Sequence, residues 1–219
     1  MKKPRSIDKL LEVMARLRSP TGCPWDREQD HMSLRFHAVE EVYEMIDAIE
    51  AGDDHELEEE LGDVLLQVVF HCQLATERGA FDFERVARRL VDKLVHRHPH
   101  VFGTSEAKTV DAVWAQWERL KRAEKKGTRH ERPSALDGIP KHLPALLRAE
   151  KLVKKARKAN LISTSAHHGL KLRFTRKQVG AELLALAQYA QSRGWSAEEL
   201  LRAESRAAER QWRRKESRA

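Results

Sequence analysis

Apolar residues recur at steps of three and four along almost the whole of this chain, and that period predicts helices rather than strands. Ile7, Leu10, Leu11, Met14 and Leu17 mark a first helix over 7–18, which Ser19-Pro20-Thr21-Gly22-Cys23-Pro24 breaks. A second fits 33–50 and ends near Gly52, with Val39, Val42, Ile46 and Ile49 in one stripe. The third, 54–78, starts acidic and then runs Val64-Leu65-Leu66-Gln67-Val68-Val69-Phe70. Its flanks and length argue against a strand. A helix apolar on every side is expected to be surrounded by other helices. Further helices fit 83–97, ending before His98-Pro99, and 109–126, which carries Val113, Trp117 and Leu120.

A polar stretch after Gly127 leads to Ser134-Ala135-Leu136-Asp137-Gly138-Ile139-Pro140, which reads as a structured turn. The domain seam is expected here, dividing 1–130 from 131–219. Beyond it, helices fit 143–158, 177–192 and 196–216, with a Ser/His/Gly-containing loop at 163–169. A faint internal repeat links the halves: Leu61-Gly62-Asp63-Val64-Leu65-Leu66 resembles Val179-Gly180-Ala181-Glu182-Leu183-Leu184. Arg78-Gly79 and Arg193-Gly194 come next in the same order, each before another helix. The expected class is all-α, a helical bundle joined to a second, truncated repeat. Charged residues at 34% and aromatics at 6% suit helical surfaces better than sandwiches or barrels.

Several function classes drop out on composition. No apolar run approaches the roughly 18 residues that would span a membrane. Asp8, Lys9 and Glu12 interrupt any signal-peptide core after Met1-Lys2-Lys3-Pro4-Arg5. Cys23 and Cys72 are too few for a disulfide scaffold and lack metal-ligand spacing, so reduced thiols in a cytoplasmic protein are expected. The net charge of +7 points to nucleic acid only until it is divided. Residues 131–219 hold 20 Lys+Arg against 9 Asp+Glu; the first 130 hold 21 against 25. Helical Arg spacing of this kind is more often a solvated face, so nucleic acid is not the expected partner.

The chemistry concentrates in two helices. One carries Glu40-Glu41-Val42-Tyr43-Glu44-Met45-Ile46-Asp47, the other Glu60-Leu61-Gly62-Asp63. Glu41 and Glu44 share a helix face, as do Glu60 and Asp63. If the helices pack side by side, four carboxylates converge, and like charges in one cleft lift each other's pKa. A divalent cation removes that objection, and all-oxygen ligation suits Mg²⁺ or Mn²⁺. Against this stands the plain alternative of a solvated acidic face. It is weakened because Asp63 directly precedes the most apolar stretch in the chain. Elsewhere, Lys93 and Arg97 lie one turn apart, able to face a phosphate tail together, or to be plain surface charges. Lys121 comes one turn after Trp117, so a ring and an ammonium share a face. Trp25 is either a core plug or part of a base pocket. His96, His98 and His100 lack the neighbours a metal site needs, and Glu28-Gln29-Asp30-His31 is a single Glu-x-x-His where a di-iron bundle wants two.

Glu40-Glu41-x-x-Glu44 with Glu60-x-x-Asp63 after it resembles the signature of the MazG nucleoside triphosphate pyrophosphohydrolases. Gly22-Cys23-Pro24-Trp25-Asp26, Arg97-His98-Pro99-His100-Val101-Phe102, Trp117-Glu118-Arg119-Leu120-Lys121 and Ser134 to Pro140 resemble further elements of that family in the same order, over about residues 7–150. The resemblance implies Mg²⁺ held by Glu41, Glu44, Glu60 and Asp63, with Glu40 behind them or positioning water. It implies substrate contacts at Lys93, Arg97, Trp117 and Lys121, a homodimer, and hydrolysis of a nucleoside triphosphate to monophosphate and pyrophosphate. The C-terminal half departs from it. Gln178 and Ala181 stand where Glu60 and Asp63 would be matched, and no Glu-Glu-x-x-Glu occurs between 150 and 178. That repeat is expected to be catalytically silent, with Arg206 and Arg210 an echo of a phosphate-binding pair or a solvated face. Two rivals remain: a non-catalytic nucleotide sensor or interaction protein, and a nucleic-acid module driven by the basic half.

Overall fold

The computed structural model describes residues 5–162 and 174–218, and every regular element among them is a helix. They are α1 (Ser6–Leu17), α2 (Pro24–Glu28), α3 (His37–Ala51), α4 (Asp54–Glu77), α5 (Phe83–Arg97), α6 (Pro99–Phe102), α7 (Val110–Ala123), α8 (Ala145–Lys158), α9 (Arg176–Ser192) and α10 (Ala197–Glu216). The long helices fall close to the ranges read from periodicity. The two short ones do not appear in that reading, because Pro24 and Pro99 look like breakers. Each occupies the first turn of its helix, where a missing N–H costs nothing. The loop expected at 163–169 lies outside the described residues.

The chain divides into two compact units, Met1–Gln116 and Trp117–Ala219. The division falls inside α7, earlier than the seam placed at 130/131. The last turns of α7 line one cavity with residues 131–138 and Lys155, which groups them with the second unit.

In the first unit α1 lays its apolar face on α4. Met14, Leu34, Val69, Phe70 and Leu74 form the core, flanked by Ile7, Leu10, Leu11, Leu66 and Phe83. Arg18 closes this arrangement. Its guanidinium donates to both carboxylate oxygens of Glu77 at 2.7 Å, to the carbonyls of Asp26 and Gln29, and lies 5.5 Å from the Phe70 ring. α3 and α4 form a hairpin whose turn is fixed chemically. Gly52 ends α3 in the left-handed region at φ 68°, and Asp53 caps α4 by accepting from the N–H groups of His55 and Glu56.

One expectation needs correcting. α4 is not surrounded by helices of its own unit among the described residues: Leu61 (51%), Leu65 (38%) and Val68 (39%) are exposed, and so is the α3 stripe of Val39, Val42, Ile46 and Ile49. A continuous apolar run reports that a helix will be covered, not by what.

In the second unit α8 packs on α10 around Leu136, Leu152 and Ala156, with Arg148 of α8 bonded to Glu209 of α10 at 2.5 Å. The segment after Pro133 is as structured as its composition predicts. Ser134 donates its hydroxyl, and Ala135 its backbone N–H, to Glu216. α4 and α9 end in the same backbone pattern, one that α3 also shows at Gly52. After α4, Gly79 takes φ 65° and the Ala80 N–H returns to the Ala75 carbonyl at 2.9 Å. After α9, Gly194 takes φ 72° and the Trp195 N–H returns to Ala190 at 2.9 Å. Asp82 and Ser196 then cap the next helices alike.

Candidate metal centre

Because α3 and α4 run side by side from one tight turn, their acidic turns face each other. Carboxylate oxygens of Glu41, Glu60 and Asp63 lie within 4.8 Å of one another. No Lys or Arg among the described residues pairs with these three or with Glu44. Glu60 carries the clearest sign of an unfinished shell: its Oε2 is shut off from solvent and has no hydrogen-bond partner among the described residues. Burial, and then the charges of Glu44, Asp63, Glu41 and Glu59, push the Glu60 carboxyl above its ordinary pKa. Glu44 stands exposed at the rim and is raised as well, by burial first and then by Glu41, Glu40 and Asp63. Glu40 is exposed, 3.8 Å from His37 Nδ1.

A participant that the spacing does not announce is Gln67, one turn beyond Asp63. It is buried, and its Nε2 donates to Glu41 Oε1 at 3.2 Å. Its Oε1 has no partner among the described residues. The only hint in the sequence is an amide inside an apolar run.

Trp25 is 52% exposed, so it is no core plug; its ring meets His37 edge-on at 6.2 Å. Lys93 is exposed while Arg97 is buried, so the two do not share one environment despite their spacing. Lys121 holds its Nζ 4.4 Å from the centre of the Trp117 ring and 3.9 Å from Glu118, within the second unit. His31 does not associate with Glu28. Its Nδ1 meets His71 Nδ1 at 2.8 Å and its Nε2 meets Arg78 at 2.9 Å. Among the described residues, no helix is long and apolar enough to cross a membrane.

The family model for the MazG nucleotide pyrophosphohydrolase domain matches residues 29–102, which hold α3 to α6 and every carboxylate of the cluster. The chain is 46% identical over 196 residues to an uncharacterized 26.1 kDa protein of Streptomyces cacaoi, covering 89% of this chain and 76% of that protein. It is also 48% identical over 150 residues to proteins named nucleoside triphosphate pyrophosphohydrolase in Escherichia coli K12 and nucleoside triphosphate pyrophosphohydrolase/pyrophosphatase MazG in Thermotoga maritima. The chain belongs to the MazG family. Those last two matches cover 68% of this MazG chain and 56% of each relative, so it spans little more than half of their length. A crystal structure of a mazG-related protein from Thermotoga maritima aligns with a TM-score of 0.45 at 27% identity, over 52% of this chain and 97% of that one.

Proposed function

We propose that the first unit hydrolyses nucleoside triphosphates to a nucleoside monophosphate and pyrophosphate, with Mg²⁺, or Mn²⁺ in its place, held by Glu41, Glu44, Glu60 and Asp63. The observation that carries this reading is the convergence of three carboxylates from two helices with, among the described residues, no Lys or Arg paired to them and a shielded, unpartnered Glu60 oxygen. The donor set fits the ion. It is all oxygen, contains both shielded and exposed groups, and leaves room for water and phosphate ligands, as Mg²⁺ requires. Bound there, the ion would neutralise triphosphate charge and lower the pKa of a bound water.

The chain's own residues do the rest. Gln67 fixes the orientation of Glu41 through its amide, as partners behind a metal ligand generally do. Glu44, at the rim, closes the cluster on the solvent side, and Glu40 helps to position water. Lys93, Arg97 and Trp25 are the proposed contacts to phosphate and base within the first unit. In the reaction, water adds across the anhydride between the α- and β-phosphates, and that bond breaks to give the monophosphate and pyrophosphate.

Residues 131–219, which lack the matching carboxylates, are a catalytically silent repeat in this reading. The exposed stripes of α3 and α4 are the face on which a second copy docks, since patches of that kind on soluble proteins mark interaction sites. The names carried by the relatives support the activity. Glu60→Ala is expected to abolish divalent-dependent release of monophosphate, at least a hundredfold, with helicity unchanged by circular dichroism. Retained turnover in that variant rejects the site.

A further inference from the structure

The second unit has a cavity of about 360 Å³ between the last turns of α7, the segment 131–138 and Lys155 of α8. That volume is at the small end of ligand sites. Its walls carry six cationic side chains against three carboxylates, Glu118, Glu131 and Asp137. The carboxylates are already engaged. Asp137 accepts from Arg213 at 2.8 Å and from the Ser134 N–H at 3.0 Å, Glu131 accepts from the Gly127 N–H at 2.9 Å, and Glu118 lies 3.9 Å from Lys121. By contrast, the side chains of Arg122, Lys126 and Arg132 make no hydrogen bond or ion pair among the described residues.

One of the cations is held in place rather than left to wander. Lys155 donates from Nζ to the carbonyls of Ala135 at 3.2 Å and Asp137 at 2.9 Å. Arg132 lies against Gly138, where any Cβ would collide with its guanidinium. Gly138 also takes φ +86°, so the same residue serves the turn and the close approach. The electrostatics mirror the carboxylate centre with the sign reversed. Burial lowers the Lys155 pKa; Glu118 opposes this, while Lys121, Arg122 and Arg132 lower it further. A cavity whose walls repel one another in this way is relieved by an anion, and guanidinium groups match phosphate oxygens in pairs.

We propose that this cavity is an anion site for a free inorganic phosphate chain, with pyrophosphate as its smallest ligand, and that it works without a metal. Pyrophosphate is also the product of the reaction proposed above, but binding here does not depend on that reaction. The side chains that hold the anion are Arg122, Lys126, Arg132 and Lys155.

The test is calorimetric titration of the full chain with sodium pyrophosphate in the presence of a chelator, so that the carboxylate centre cannot hold phosphate through a cation. Wild type and Glu60→Gln are expected to bind alike. Lys126→Gln combined with Arg132→Gln is expected to weaken binding at least tenfold, and Arg122→Gln alone to weaken it less. All three of these positions are exposed, so circular dichroism and melting should be unchanged. Absence of binding in wild type, unaltered binding in the double variant, or equal loss in Glu60→Gln would each overturn the proposal. So would a short DNA duplex that displaces pyrophosphate and loses affinity in the same variants, which would identify a nucleic-acid backbone as the ligand.

Discussion

In the first unit Glu41, Glu60 and Asp63 face one another across two helices, and no Lys or Arg among the described residues pairs with them. In the second, Glu209 sits between Arg148, at 2.5 Å, and Arg213, at 2.7 Å, and Arg213 reaches on to Asp137 at 2.8 Å. The two units repeat a helix and its glycine ending, yet treat acidic groups in opposite ways. Burial acts to raise the Glu209 pKa, but the hydrogen bonds from Arg148 and Arg213 outweigh it and hold the carboxyl below its ordinary value. Glu60 has no such partners among the described residues and is held above. A charge balanced within the chain serves the fold; a charge left unbalanced costs stability.

The largest expected effect is on the balanced side. Arg148→Ala leaves Glu209 half-paired against the core of the second unit, and breaking a buried pair costs about 3–5 kcal/mol. Thermal denaturation should show much of that loss. Arg148→Met combined with Glu209→Leu should restore most of it, since an apolar pair needs no neutralisation. If the single variant melts like wild type, the second unit does not depend on this pair.

Next comes the group behind the unbalanced cluster. Gln67→Leu removes the amide that orients Glu41 and should weaken Mg²⁺ or Mn²⁺ affinity by about 10–100-fold. Fluorescence-detected metal titration would measure it. Unchanged affinity would mean that Glu41 is positioned without the amide.

The smallest effect concerns acid, and here the two units should respond with opposite signs. Glu209 has a lowered pKa when folded, so its contribution is present above the ordinary glutamate value of 4.5 and disappears as pH falls through the folded value. Glu209→Gln should flatten that acid limb. Glu60 has a raised pKa when folded, so its stabilising effect is present below 4.5 and is lost as pH rises through the folded value. Without metal, Glu60→Gln should therefore melt slightly higher than wild type at neutral pH, and the gap should close toward acid. Melting curves of the chelated proteins across pH would reveal either failure.

The sequence carries part of this plainly. Helices with a clear three-and-four period are legible, and the carboxylates are legible because i, i+3 spacing puts them on one face and a short turn brings two such faces together. Pro24 and Pro99 mislead, because the same residue stops one helix and opens the next. Gln67 has no periodic signature; its role depends on the distance between α3 and α4. Arg148 and Glu209 are 61 residues apart, and nothing local in either helix pairs them. The exposed faces of α3 and α4 read as core because an apolar helix stripe looks the same in sequence whether or not its own chain covers it.

The central claim is that charge left unbalanced between α3 and α4 is there for a divalent ion. Paramagnetic titration of Mn²⁺ into the full chain, alongside Glu60→Gln and Glu209→Gln, tests it directly. Glu60→Gln is expected to weaken Mn²⁺ binding at least tenfold, while Glu209→Gln leaves it unchanged. Equal binding in wild type and Glu60→Gln would contradict the claim.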